Sequence, residues 1–480
     1  MAATFKDSLI GSQQSQNAIE LKETKPKEFH TFIVSQPRAA DSHTLSSLRA
    51  QSTESPENEK LLPPMKNVVL IIINNFLSCV SFNIVIPISA EYSRHLGGTS
   101  SFSGIIIGTP TIVALLLLYP MLKFSLAKNG RMIYKRPIIV CAIGSILGHV
   151  LYSLADYVNW LYLILISRLF FGVACTMFLY HKRYVTDKTL VSPRYRTPLA
   201  TCTTLAQAMG MCVGPFLGGL LSKASAHARN RVWDKFTSGN WIMAIVWLVY
   251  LIVAAFLFKD DLETSYTDTT VDQSVITDAD QNSQRLTKNG MFTMFVVSWI
   301  TFTSNFTLVG YLSSIPVYTS ELYGYSTFQA GNFIALNFLL ISPLVLSVTF
   351  LSRHIQDRII SLGSLIVLLF GLFLHLIIHE CKREYLIPYF IACLIILFSG
   401  NVVGSPSVSL LTKQLPPKFH VRGNVAVQIA ISLSDTLGAI FGGAISAIKF
   451  IPVFLVCFLI NALGMVFLLC IWTSIKQKVT

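Results

Sequence analysis

Two ionisable residues stand inside long apolar runs of this 480-residue chain. Arg168 lies in Ser167-Arg168-Leu169-Phe170-Phe171-Gly172, and Asp435 in Ile431-Ser432-Leu433-Ser434-Asp435-Thr436. A charge at the centre of a membrane-crossing helix costs roughly 2.5 to 3.5 kcal/mol on insertion scales, so each needs compensation and each is a functional candidate. For Arg168 two readings stand. It is either a cation facing an aqueous cavity, where it binds an anion or tunes proton exchange, or a guanidinium pinned to carbonyls of a neighbouring helix. Asp435, flanked by hydroxyls, either exchanges a proton as a cavity alternates its access or hydrogen-bonds Ser or Thr across a helix interface. Direct pairing of the two is a third arrangement.

His149 and His375 also fall in apolar runs, where a hydrogen-bonded packing histidine is the expected form. Asn305-Phe306-Thr307 fits the glycosylation sequon but lies inside an apolar span and should not be modified. Of nine cysteines, all but Cys381 sit in apolar segments, the placement of small buried hydrophobes, so neither a disulfide framework nor a metal site is expected. Nothing has the form of a nucleotide-binding loop. No cofactor and no enzymatic activity are expected.

The elements that must hold these residues follow from composition. The chain is 52% apolar and only 13% charged, against about 25% charged in soluble proteins. Its apolar residues gather in blocks of about 20, each long enough to cross the roughly 30 Å hydrocarbon core of a bilayer as a helix. The expected fold is an all-α membrane protein of twelve transmembrane helices in two pseudo-symmetric six-helix bundles. The first six spans run Asn67 to Ala90, Phe102 to Leu126, Pro137 to Tyr157, Trp160 to Lys182, Pro198 to Ser222 and Asn240 to Phe258. The second six run Met291 to Thr319, Thr327 to Leu351, Ile359 to Ile378, Leu386 to Lys413, Val421 to Ile448 and Phe450 to Ile475. Residues 1–66, rich in Ser, Gln, Glu and Lys and without a signal-peptide run, read as a disordered cytosolic tail. Residues 67–258 and 291–475 form the bundles, 259–290 an acidic cytosolic linker, and 476–480 the cytosolic end.

Thirty-seven Lys and Arg against 24 Asp and Glu give a net charge of +13. The basic residues sit in short loops, where they set orientation rather than bind nucleic acid. Lys123, Lys128, Arg131, Lys135, Arg136, Lys182, Arg183, Lys188, Arg194 and Arg196 fall on one side, with Arg353, Arg358, Lys413, Lys418, Arg422, Lys476 and Lys478. The other side carries about half as many, mostly Lys223, Arg229, Arg231 and Lys235. Both termini are therefore expected in the cytosol.

Two equal halves invite a search for a repeat. Gly214, Gly218 and Gly219 in the fifth span are matched at one constant offset by Gly438, Gly442 and Gly443 in the eleventh. Gly210, Gly214 and Gly218 recur every four residues and make a smooth stripe for close helix approach, and Pro215 should bend the helix. The stripe is either a plain packing groove or a contact between halves that slides or parts.

The fourth-span arginine with glycine four residues on, and the fifth-span Gly210-Met211-Cys212-Val213-Gly214-Pro215-Phe216-Leu217-Gly218-Gly219, resemble the signatures of the major facilitator superfamily. The resemblance covers about Val68 to Lys476. The second-to-third loop departs from the family, offering Lys128, Gly130, Arg131, Lys135 and Arg136 but no aspartate, which puts its usual charge-relay latch in doubt. Arg353, Asp357 and Arg358 keep a fragment of that pattern in the other half, and a solvated basic loop is the plainer reading of both. Arg183-Tyr184-Val185-Thr186-Asp187, Arg196-Thr197, Ala200 and Gln207-Ala208 resemble the lysosomal branch that includes the transporter affected in a neuronal ceroid lipofuscinosis.

The resemblance implies that the first, fourth, seventh and tenth helices line a central cavity. Their polar residues are Asn74, Asn75, Ser78 and Asn83; Thr301, Ser304, Asn305 and Thr307; and Ser399, Asn401, Ser405 and Ser407. Asn75 with Ser78 and Thr301 with Asn305 share helix faces, and Asn401 and Ser405 sit in a segment expected to be weakly wound around Gly400 and Gly404. Each amide alone reads equally as interhelical packing. The function implied is secondary active transport of a small organic or anionic solute by alternating access, with protons as the coupling ion. An anion-conducting channel or a non-transporting sensor or scaffold are the rivals. Glu57, Leu61 and Leu62 resemble an acidic dileucine signal read by adaptor proteins, so a lysosomal or vacuolar membrane is favoured over the plasma membrane.

Overall fold

The structure is a computed structural model that describes residues 63–127, 132–187, 190–228, 230, 232–260, 288–351, 354–380, 385–415, 419–448 and 450–473. The sorting-signal candidates Glu57, Leu61 and Leu62, loop residues 128–131 and 352–353, Cys381, most of the linker and residues 476–480 lie outside the described residues.

Among the described residues, twelve helices are long and apolar enough to cross a bilayer. The first six are Met65–His95, Phe102–Ser125, Lys135–Val158, Leu161–Val185, Arg194–Ala224 and Ser238–Leu257. The second six are Lys288–Tyr323, Thr327–Val348, Asp357–Glu380, Leu386–Leu411, Arg422–Gly443 and Phe450–Cys470. They match the expected spans to within a few residues at most ends. A helix satisfies its own backbone polar groups, which hydrocarbon cannot do, and this is why such runs become helices.

Local chemistry sets the breaks. In the first span, Asn83 and Ile86 are separated by two turn residues, with Pro87 in the opening turn of the second segment. Proline has no N–H for the Asn83 carbonyl and crowds the preceding turn, so the span jogs there. The third span ends at Asn159 with φ of 52° and its N–H on the Ala155 and Asp156 carbonyls, the left-handed cap that asparagine tolerates. One expectation is corrected. The tenth span is continuously helical through Gly400 and Gly404, because Ser399 and Asn401 return their side chains to the Ile395 and Leu397 carbonyls of the same helix and leave its ladder intact.

Each half has its own core. The first gathers Tyr92, Tyr152, Phe171, Trp247 and Tyr250, and the second Tyr311, Tyr318, Tyr389 and Phe454. His149 completes a buried chain in the first core. Trp247 Nε1–H donates to Ser81 Oγ (2.7 Å), Ser81 meets His149 Nε2 (2.9 Å), and His149 Nδ1 meets Asn240 Oδ1 (2.8 Å). In the second core, His375 Nδ1 meets Tyr311 OH at 2.5 Å. Both histidines are packing groups.

The repeat is physical. A Cβ on Gly218 would lie 2.2 Å from the Ile84 carbonyl oxygen of the first span, and one on Gly442 would lie 1.9 Å from the Gly310 oxygen of the seventh. Gly210 and Gly214 likewise abut Cys79, Val80 and Asn83 of the first span, while Gly438 abuts Phe306 of the seventh. The stripe is thus a packing groove within each half. The last glycine of each set differs: Gly219 faces Phe328 of the eighth span, and Gly443 faces Gly104 of the second.

Candidate translocation site

The membrane face at which the first span begins and the sixth and twelfth end is called here the terminal face, and the other the distal face. In the distal half the two bundles interlock. Thr111 and Thr436 hydroxyls meet at 2.9 Å between the second and eleventh spans. Cys212 Sγ lies on the Ala335 carbonyl between the fifth and eighth, and a Cβ on Gly331 would lie 2.5 Å from the Pro215 oxygen. At the distal rim Glu91 takes a hydrogen bond from Thr327 of the other half while holding Lys235 of its own half at 2.5 Å. Lys223 caps the Phe328 ring at 4.6 Å. Lys223 and Lys235, which weaken the orientation count when read from sequence, belong to this closure.

Toward the terminal face the halves part. A cleft of about 510 Å³ lined by Arg194, Thr197, Pro198, Thr201 and Phe350 opens between the start of the fifth helix and the end of the eighth. Lys182, near the terminal end of the fourth span, is exposed, and Asp435, midway along the eleventh, is half-buried. The two residues come from opposite halves.

Arg168 sits elsewhere. It is 2% exposed, its Nε donates to the Ile106 carbonyl at 3.0 Å, and its guanidinium lies 4.7 Å from the Phe171 ring centre. Its Nη2 has no hydrogen-bond partner. Among the described residues no ion pair joins Arg168 to Asp435; a carbonyl and two aromatic faces are what surround the guanidinium.

The amide candidates separate by depth. Asn75 is buried and donates to the Thr203 carbonyl at 2.7 Å, tying the first span to the fifth. Ser78 is buried beside Asn74, and Thr301 returns its hydroxyl to the Val297 carbonyl of its own helix. These three serve packing. Asn305 and Asn401 are half-buried, each with its amide on its own helix. The side chain of Ser405 lies outside the described residues.

Reading by residue type missed Lys182 and its neighbour His181. His181 is buried with Nε2 2.7 Å from Asn74 Oδ1, which ties the fourth span to the first. A usable signal was present. Arg168, Cys175 and Lys182 recur every seven residues, close to two helical turns each, and so share one stripe of the fourth span. Placing Lys182 at the end of its span hid this.

Comparison with known proteins agrees with the geometry. Residues 71–434 match the family model described as Major Facilitator Superfamily. The chain is 44% identical over 422 residues to an uncharacterized MFS-type transporter of Schizosaccharomyces pombe, covering 87% of this chain and 90% of that relative. Among solved structures it is similar in fold to an inward-facing, occupied bacterial homolog of the human lysosomal transporter Spinster, with a TM-score of 0.63 at 10% identity over 86% of this chain and 98% of that one. It is likewise similar to a D-xylose–proton symporter, with a TM-score of 0.66 at 14% identity over 86% of this chain and 99% of that one. With its twelve helices, its two matched glycine sets and a family model spanning most of its length, the chain belongs to the Major Facilitator Superfamily of transporters.

Proposed function

We propose that the protein is a secondary active transporter that moves a small organic or anionic solute by alternating access, coupled to protons through Asp435. The observation that carries this reading is Asp435 itself, a half-buried carboxylate midway through a span. An ionised carboxylate at that depth is costly, so a proton on Asp435 changes the energy of each state the bundles adopt. Sealed distal halves and parted terminal halves are what one end-state of a rocking carrier requires. The same seal argues against a channel, which needs both faces open at once.

The termini are proposed to be cytosolic and the membrane lysosomal or vacuolar, on the basic loops of the terminal side and on Glu57, Leu61 and Leu62 as an adaptor-read signal. The combined Leu61→Ala and Leu62→Ala variant should then move to the plasma membrane in live imaging, and unchanged placement would remove the sorting proposal. For coupling, purified protein in liposomes with an imposed pH gradient should take up solute uphill. Asp435→Asn should lose uphill uptake while retaining solute exchange at equal pH. Wild-type flux indifferent to the gradient would overturn the proton claim.

A further inference from the structure

We propose that a membrane sterol binds in a lateral groove between the eighth and tenth spans near the distal face, with its hydroxyl on Gln329 and Asn332 and its ring system along Leu336, Ile387 and Phe390. The groove lies apart from the cleft of the terminal face and is independent of the solute carried. Its volume is about 380 Å³, within the roughly 300 to 1,000 Å³ of small-molecule pockets. It opens toward lipid. Gly331 and the Ala335 carbonyl of the eighth span meet Pro215 and Cys212 of the fifth. Asn332 and Leu336 each follow by one residue, a rotation of about 100° away from that seal. Leu336 is 48% exposed, and the exposed Leu339 and Leu340 continue its stripe toward the midplane. On the facing wall Ile387 is 73% exposed. Such an apolar face in a bilayer touches hydrocarbon, so what enters the groove comes from the lipid.

Polarity runs along the groove in the order of a lipid of the distal leaflet. The eighth span starts at Thr327 and the tenth at Leu386. Tyr325 and Gln329 therefore stand at the bilayer boundary, Asn332 lies about 8 Å inside it, and Leu336 lies one turn deeper. The Ser326 N–H and hydroxyl both donate to Gln329 Oε1, at 2.9 and 3.0 Å, which orients that amide and leaves its NH2 to donate. Asn332 Oδ1 is buried and has no hydrogen-bond partner. The two amides are three residues apart on one helix face, so a single hydroxyl between them accepts from Gln329 and donates to Asn332. An ammonium only donates and a phosphate only accepts. Among the described residues that line the groove none is charged, which leaves a phospholipid headgroup without a counter-charge.

The body of the ligand follows from the stiffness of the walls. Phe390 stands edge-on to Phe333 with ring centres 5.2 Å apart, and Phe333 stacks on Tyr389 at 5.3 Å, so the aromatic wall is already set. A rigid fused-ring body loses little conformational freedom on seating there, whereas an acyl chain must give up its rotamers. One hydroxyl on a rigid apolar body is the chemistry of a sterol.

The test is photolabelling. The full chain is reconstituted in phosphatidylcholine vesicles with cholesterol that carries a ring diazirine, irradiated, and its labelled peptides located by mass spectrometry. Adducts should fall on residues 325–336 and 386–390. Unlabelled cholesterol should displace them at about a tenfold lower concentration than its 3α epimer, whose hydroxyl points away from the amides. Asn332→Leu should weaken labelling by a similar factor. Leu336→Trp, which fills the groove from the lipid side, should abolish it while the thermal midpoint stays near wild type. No saturable adduct at these residues, equal competition by the 3α epimer, or wild-type labelling of Asn332→Leu would each overturn the proposal. So would saturable labelling of the same residues by phosphatidylcholine with a diazirine on its acyl chain, which would make the groove an acyl-chain site. Should either variant fail to fold, the epimer competition on wild type decides.

Discussion

A carboxylate can serve as a latch or as a proton carrier, and its depth decides which. Glu91 lies at the distal rim with its side chain 37% exposed and Lys235 at 40%, so the pair belongs with surface ion pairs worth about 0 to 1 kcal/mol. The hydrogen bond from Thr327 across the halves adds about 1 kcal/mol. Glu91→Ala should therefore weaken the closed distal rim by about 1 kcal/mol, roughly a fivefold shift toward distal opening. Thiol-reagent labelling of a cysteine introduced at Phe328, which packs against Gly219 and Lys223 of the other half, should rise accordingly, and unchanged labelling would remove Glu91 from the gate. Asp435 lies midway along the eleventh span and is half-buried. The two carboxylates look alike in the sequence. Asp435 is legible as costly because apolar residues surround it in the chain, whereas Glu91 follows a run of mixed residues and its partner Thr327 is remote in sequence.

Among the elements, the paired glycine helices show that one motif does two jobs. Gly218 and Gly442 meet backbone carbonyls of their own half at 2.2 and 1.9 Å from a virtual Cβ. Backbone cannot give way, so Gly218→Ala or Gly442→Ala should lower stability by about 1 to 3 kcal/mol, as overpacking does, read as a lower thermal midpoint. Gly363 and Gly404 have nothing within 4 Å of that position and serve as controls; alanine there should be neutral or stabilising by up to about 1 kcal/mol. Gly443→Ala should behave differently again. Its neighbour is Gly104 of the other half at 2.5 Å, so the distal seal should loosen while each bundle keeps its own core. A Gly443→Ala protein with a wild-type midpoint and raised distal labelling is the expected result. Equal loss of midpoint in all three variants would show that the within-half and between-half contacts are not separable.

On the scale of the whole molecule, Thr111 and Thr436 offer the sharpest test that the halves part. Their hydroxyls are 2.9 Å apart, so Thr111→Cys and Thr436→Cys would bring two thiols together as a pair to be cross-linked by oxidation. Oxidation should abolish flux and reductant should restore it; full flux through the cross-linked protein would mean that the distal halves do not separate. The sequence by itself determined the number of spans, because hydrocarbon thickness and backbone hydrogen bonding impose a length and a composition that can be counted along the chain; the matched glycine sets marked the two halves, and the glycine–proline signature carried the resemblance to the superfamily. The sequence also marked Arg168 and Asp435 as costly charges. What only the tertiary structure decided is which polar groups face water and which face protein. Asn75 became a tie to the fifth span, Arg168 an enclosed cation on a carbonyl, and Lys182, counted as a loop charge, an exposed residue of the fourth helix. Those outcomes depend on helix rotation and on which half supplies the neighbour, quantities set by packing between residues more than a hundred positions apart, and no local pattern records them.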